Sequence, residues 1–281
     1  MRLVLRMIKF EHTIFALPFA FLGAFLAAGG IPQGRTIFWI LAAMFGARSA
    51  AMAFNRLADR RWDALNPRTR QRELPQRLLQ PAFVRAFVAG SSALFVLSAW
   101  MLNPLAFFLS PLALTIVFFY SYTKRFTSFS HLFLGLSLAM APVGGWIAVA
   151  GEVSPAAWLL AASVLFWVAG FDLIYACQDA DFDRGHGLHS IPSRYGVRAA
   201  LRLSGLFHVL TAALLGATLY VQGLSVLSWI GLTLVSAILV YEHRLVRPDD
   251  LSRLNAAFFT VNGVVSIVLF LFIGVDLCLL A

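Results

Sequence analysis

The sequence predicts an all-α, polytopic membrane protein in which nine transmembrane helices bundle around a central cavity open to the cytoplasmic face. Three observations lead there. First, 60% of the 281 residues are apolar and only 12% are charged, with a mean hydropathy of +0.81; soluble domains carry about 45–50% apolar and about 25% charged residues. Thirteen acidic and 22 basic side chains cannot cover a soluble protein of this length, so a soluble enzyme is excluded and most of the surface faces lipid. Second, cutting the chain at clusters of charge, Pro and Gly leaves nine apolar runs near the length of about 20 residues that a spanning helix needs. Third, Lys and Arg alternate between successive loops, as they do when basic residues are retained on the cytoplasmic side.

The runs fall at 13–30, 36–58, 82–102, 105–122, 131–150, 156–178, 200–221, 224–242 and 255–279. The first follows a basic N-terminus (Arg2, Arg6, Lys9) but has no small-residue cleavage pattern before a polar mature domain, so it reads as a span and not a signal peptide. Counted from the N-terminus through the loops to the C-terminus, basic residues number 3, 1, 8, 0, 2, 0, 4, 0, 3 and 0. One side therefore holds 20 of the 22; Arg35 falls on the other side and Arg48 inside the second run. The N-terminus is expected in the cytoplasm and the C-terminus outside, in a bacterial inner membrane. A net charge of +9 arranged this way anchors a membrane protein and does not make a nucleic-acid partner. Cys177 and Cys278 lie in apolar runs as small hydrophobes, not a disulfide framework. Residues 1–281 read as one domain whose longest polar stretches, Asp59 to Gln80 and Asp179 to Arg198, place the chemistry at the cytoplasmic face.

Ionised groups within or beside a spanning helix are costly and mark function. At the end of the second run, Asn55, Asp59 and Asp63 recur at intervals of four, with Arg48 seven residues earlier, so helical geometry puts all four on one stripe. At the end of the sixth, Asp172, Asp179 and Asp183 share a stripe by the same rule, while Asp181 points elsewhere. Stacked carboxylates repel. Mg²⁺ relieves such a pattern, because it takes oxygen ligands and is commonly held by one or two carboxylates together with substrate phosphates. The plainer alternative is that Arg56, Arg60, Arg61 and Arg184 neutralise the aspartates as a solvated rim. Basic loop residues Arg68, Arg70, Arg72, Lys124 and Arg125 supply charge complementary to a diphosphate.

These motifs resemble those of the UbiA family of intramembrane aromatic prenyltransferases, and the resemblance spans essentially the whole chain. The family's Asn-Asp-x-x-Asp-x-x-x-Asp motif corresponds to Asn55, Arg56, Asp59 and Asp63, and its following arginine-rich run to residues Arg68 to Pro75. Its second motif corresponds to Tyr175, Asp179 and Asp183. Three departures stand out: Arg56 in place of an Asp, Glu73 in place of a Pro, and His189 where many relatives carry a Lys.

The resemblance implies transfer of a polyprenyl group from polyprenyl diphosphate to an aromatic acid acceptor. It implies Mg²⁺ held by Asn55, Asp59, Asp63, Asp179 and Asp183, with Asp59 and Asp179 central to catalysis, and substrate contacts from Arg72, Tyr120, Lys124 and Tyr175. Arg48, one to two turns beneath Asn55, is the natural partner of an acceptor carboxylate or phenolate. Gln178-Asp179 and the run Gly187 to Pro192 resemble the 4-hydroxybenzoate polyprenyltransferase branch, which serves ubiquinone synthesis; relatives thought to prenylate 1,4-dihydroxy-6-naphthoate for menaquinone are the alternative. Competing classes are a transporter of an acidic solute and a structural membrane subunit. A transporter is expected to carry polar residues near the bilayer midplane, whereas here Pro18, Pro111, Pro142 and Gly144-Gly145 interrupt helices while the charges collect at one face.

Overall fold

A computed structural model describes residues 2–9 and 13–279; residues 1, 10–12, 280 and 281 of the expected single domain lie outside the described residues. The described chain is helical, with only an isolated bridge between Arg247 and Asp250. A short α1 (Arg2–Met7) precedes α2 (Thr13–Ala28), α3 (Gly34–Leu65), α4 (Pro81–Leu102), α5 (Pro104–Thr123), α6 (Ser130–Ala150) and α7 (Pro155–Ala176). A tight turn, Cys177–Asp179, leads to the short α8 (Ala180–Gly185) and α9 (Ile191–Tyr195), followed by α10 (Val197–Val221), α11 (Val226–Leu245) and α12 (Asn262–Leu279). Among the described residues eight helices are long and apolar enough to cross a membrane: α3 to α6, the α7–α8 segment, and α10 to α12. The first expected run, α2, is the one not among them, a helix of 16 residues; its apolar composition continues through Gly29 and Gly30, but Gly29 turns left-handed at φ +62° and ends the helix.

Sequence punctuation explains the other boundaries. Pro opens α4, α5 and α7, where its missing N–H costs nothing. Asn103 caps α5 by accepting from the Ala106 N–H at 2.9 Å and also donates to the Ile147 carbonyl at 2.7 Å, tying α5 to α6. At the end of the bundle remote from the aspartate motifs, Asp276 of α12 accepts from the backbone N–H groups of Ser225 and Ser228, at 3.0 and 3.2 Å, and holds the start of α11.

Helix α3 runs past the expected end at residue 58 to Leu65. Charges end the hydropathy signal there but not the helix. Its 32 residues reach about 48 Å at 1.5 Å per residue, more than the hydrocarbon core of about 30 Å, so the helix is longer than one crossing requires and carries Asn55 to Asp63 in its later turns. Helix α7 is the central one, with Leu160, Val164, Trp167, Val168 and Leu173 almost wholly buried. Small residues allow its neighbours close approach: a Cβ on Gly145 of α6 would overlap the Ala20 carbonyl of α2, and one on Gly23 would overlap the Pro142 carbonyl.

Candidate active site

The projecting end of α3 and the segment after it build one wall of the site. Asn55 Nδ2 donates to Asp59 Oδ2 at 2.9 Å, which bears out the expected stripe at one helical turn. Asn66 ends the helix and folds the chain back: its Oδ1 accepts from the Arg68 N–H at 2.9 Å, and Thr69 Oγ1 donates to the Asp63 carbonyl at 3.1 Å. These bonds swing Arg68 and Arg72 over the aspartates, while Arg70 stays exposed. Arg72 Nη1 then donates to Asp63 Oδ1 at 2.6 Å.

The other wall departs from expectation. Asp172, Asp179 and Asp183 do not lie on one helix, because α7 ends at Ala176 and the three residues of the turn wind at about 3.0 instead of 3.6 residues per turn. That tighter winding rotates the chain by about 60° over three residues. Asp172 is left facing inward, with Oδ2 2.7 Å from His131 Nδ1 of α6, while Asp179 and Asp183 turn toward the arginine-bearing segment. Arg68 grips Asp179 as a fork, Nε to Oδ1 at 3.0 Å and Nη2 to Oδ2 at 2.6 Å, and its Nη1 donates to the Tyr175 hydroxyl at 3.1 Å. Asn66 Nδ2 donates to the same Asp179 Oδ1 at 3.1 Å, so residues from the first wall hold the second directly.

Two cations after α5 complete the set. Lys124 Nζ donates to Asp183 Oδ2 at 3.3 Å, and Arg125 Nη2 donates to the Ala58 carbonyl at 2.7 Å and to Asp59 Oδ1 at 3.4 Å. Each of the four motif aspartates thus faces one cation, but the partners are Arg125, Arg72, Arg68 and Lys124. They are not Arg56, Arg60, Arg61 and Arg184, which the solvated-rim reading named. Arg184 pairs with the exposed Asp181 at 3.1 Å. Asp63, Asp179 and Asp183 are buried, so this is no solvated rim. Burial opposes the charge on Lys124, but Asp183, Asp179 and Asp172 outweigh it and hold the ammonium above its ordinary pKa. Arg68 is likewise disfavoured by burial and more than compensated by Asp179.

Behind these pairs lies a cavity of about 600 Å³. Arg48, Asn55, Arg72, Tyr120 and Tyr175 line it, with apolar walls that include Leu109 and Leu134. Asp59, Asp63, Asp179, Asp183 and Lys124 are outside the lining, engaged in their ion pairs. Among the described residues no three carboxylates, imidazoles or thiols are gathered closely enough to hold a metal ion by themselves. The donors nevertheless suit a hard cation: all are oxygens, and Asp63 Oδ2 is buried without a hydrogen-bond partner. They suit one whose coordination a phosphate completes, with Asn55, Asp59 and Asp63 on one wall and Asp179 and Asp183 on the other.

The three departures resolve into two devices. Buried Arg56 donates from Nε to the Met7 carbonyl at 3.3 Å, and Glu73 pairs with Arg6 Nε at 3.2 Å. Both therefore fasten the N-terminal segment, whose Met7 and Ile8 pack with Ala53, Leu74 and Val84 and whose Arg6 and Lys9 reach the cavity lining. His189 keeps an exposed side chain; its backbone N–H donates to the Lys124 carbonyl at 2.7 Å and pins the loop beside that lysine. Asn66 and His131 were not singled out by sequence, and Arg68, Arg125 and Asp172, named there as complementary cations and as part of the second stripe, were not among the expected substrate or metal contacts. The signal available for Arg68 was its place in the run Arg68 to Arg72, where nothing distinguishes one arginine from the next.

Residues 16–271 match the family model described as the UbiA prenyltransferase family. Among curated proteins, the chain is similar to 4-hydroxybenzoate octaprenyltransferase of Aeromonas salmonicida, 31% identical over 237 residues covering 84% of this chain and 82% of that one. The enzyme of the same name from Vibrio cholerae is 31% identical over 242 residues, covering 85% and 84%. Among solved structures, the apo form of a UbiA homologue from Aeropyrum pernix superposes with a TM-score of 0.86 at 37% identity, covering 95% of this chain and 98% of that one. A UbiA homologue from Archaeoglobus fulgidus bound to DMAPP and Mg²⁺ shares the fold at a TM-score of 0.76 and 18% identity, covering 99% of each chain.

Proposed function

The chain belongs to the UbiA prenyltransferase family, and from that premise we propose that it transfers a polyprenyl group from polyprenyl diphosphate to the ring of 4-hydroxybenzoate. The observation that carries this reading is the meeting of both aspartate motifs, each with its cations, at one end of a cavity whose remaining walls are apolar and hold Arg48. Residues 1–281 act as a single domain in a bacterial inner membrane, with the N-terminus and the site on the cytoplasmic side and the C-terminus outside.

Asn55, Asp59, Asp63, Asp179 and Asp183 would hold Mg²⁺, which when bound neutralises the diphosphate and makes it a better leaving group. Arg72 and Lys124 exchange their aspartate partners for phosphate oxygens, with Tyr120 and Tyr175 beside them, and stabilise the charge that grows as the C–O bond breaks. The apolar walls take the isoprenoid chain and keep water from the allylic cation. Arg48 pairs with the acceptor's carboxylate and presents the ring carbon ortho to its hydroxyl to that cation. Curated relatives named for 4-hydroxybenzoate favour that acceptor; the naphthoate alternative carries a carboxylate and a hydroxyl for the same contacts.

The test offers purified protein geranyl diphosphate and Mg²⁺ with 4-hydroxybenzoate and 1,4-dihydroxy-6-naphthoate in one reaction and weighs the products. Prenylated hydroxybenzoate is expected. A prenylated naphthoate alone would transfer the proposal to the other acceptor, and a product from neither would overturn it.

A further inference from the structure

We infer that Asp172, held by His131, is the base that takes the proton from the acceptor's hydroxyl. The inference rests on the proposed transfer to an aromatic ring and adds a residue outside both aspartate motifs. Of the described residues lining the cavity, the carboxylates are Glu73, paired with Arg6, and Asp172. The four motif aspartates are outside that lining. Asp172 alone therefore presents a carboxylate to the cavity interior without a Lys or Arg ion pair among the described contacts.

Its surroundings suit proton transfer. Asp172 Oδ2 lies 2.7 Å from Nδ1 of His131, whose side chain is 2% exposed, against 14% for Asp172. Two lone pairs at that distance would repel, so a proton lies between them and the imidazole fixes the carboxylate's direction. His131 Nε2 is buried without a hydrogen-bond partner, so no other polar contact competes for the ring. The charged and titratable groups facing Asp172 are His131 from α6, Tyr120 and Lys124 from α5 and its end, and Arg48, which lines the same cavity from α3. Arg48 and Asp172 give one cavity a cation and an anion, matching an acceptor that carries a carboxylate and an acidic hydroxyl.

The hydroxyl proton passes to Asp172, leaving a phenolate whose ortho carbon is more nucleophilic. That carbon bonds to C1 of the allylic cation formed when the C1–O bond to diphosphate breaks, giving a ring dienone. The ring hydrogen leaves as a proton to the departing diphosphate. The restored phenolate takes its proton back from Asp172.

The experiment compares wild type, Asp172→Asn, His131→Ala and His131→Asn on 4-hydroxybenzoate and on the more acidic 3-fluoro-4-hydroxybenzoate, with geranyl diphosphate and Mg²⁺. Asp172→Asn is expected to lower kcat on 4-hydroxybenzoate on the order of 10²-fold, with the KM for geranyl diphosphate unchanged and a markedly smaller loss on the fluorinated acceptor. His131→Ala is expected to lower kcat about tenfold at unchanged KM, and His131→Asn, which keeps an N–H near the Nδ1 position, to recover it. An equal loss on both acceptors, or wild-type kcat in Asp172→Asn, would overturn the inference while leaving the transfer reading intact. A wild type that prenylates neither acceptor would overturn both.

Discussion

Arg68 and Arg72 sit four residues apart and look alike in sequence, yet they close different aspartates. Arg68 spends two nitrogens on Asp179 and a third on Tyr175, a planar fork that lysine cannot reproduce. Arg68→Lys is expected to lower kcat/KM at least tenfold in a prenyl-transfer assay, a loss that a mere need for positive charge would not produce. Asp63 and Asp181 make a sharper contrast. Asp63 is buried with one oxygen unpartnered, whereas the Asp181 side chain is 98% exposed. Asp63→Asn should cost on the order of 10²-fold in activity, and Asp181→Asn should leave the rate within about twofold, since exposed ion pairs contribute little. Sequence spacing treated the two differently, because Asp63 falls at intervals of four from Asn55 and Asp59 whereas Asp181 lies two residues from each neighbouring aspartate. Residue pattern could not distinguish Arg68 from Arg70 or Arg72, since a segment without a repeating backbone gives no rule for where a side chain points, and the family resemblance named Arg72 but passed over Arg68.

At the scale of elements, the misread feature is the turn Cys177–Asp179. Nothing in Asp172 to Asp183 marks it: the stretch has no Gly or Pro, and a shift from 3.6 to about 3.0 residues per turn leaves the composition unchanged. Its effect is large, because it leaves Asp172 facing the cavity and turns Asp179 to Arg68. The end of α3 was misplaced for a different reason, since hydropathy reports where lipid ends and not where backbone hydrogen bonds end. The fastening of α1 yields a stability prediction. The Arg6–Glu73 pair, with Arg6 63% exposed, should contribute under about 1 kcal/mol. Arg56→Ala removes a donor from the buried Met7 carbonyl and should cost about 1–3 kcal/mol. Thermal unfolding in detergent should therefore respond to Arg56→Ala and barely to Glu73→Gln. The same measurement should separate two adjacent glycines of α6: Gly145→Ala meets the α2 backbone and lowers Tm, while Gly144→Ala meets nothing and leaves it unchanged.

For the whole molecule, the few charges in an apolar chain, on the proposed reading, both anchor it and build its site. The all-helical membrane fold was legible because composition and hydropathy report the solvent directly. The volume and lining of the expected cavity were not, because they depend on how helices such as α2 and α6 approach over glycines distant in sequence. The expected orientation has a direct check in a Cys278→Ser background: Glu152→Cys, between α6 and α7, should react with a membrane-impermeant maleimide in intact cells. Asp181→Cys should react only after permeabilisation, and the reverse pattern would invert the topology. The central claim is that the paired aspartates exchange their cations for a magnesium diphosphate and so drive prenyl transfer. Its most direct measurement is the yield of prenylated 4-hydroxybenzoate from purified protein with geranyl diphosphate, with and without EDTA, in wild type and Asp179→Ala. A product formed by wild type, lost with EDTA, restored by added Mg²⁺ and absent in Asp179→Ala is the predicted result; a product that survives both EDTA and Asp179→Ala would contradict it.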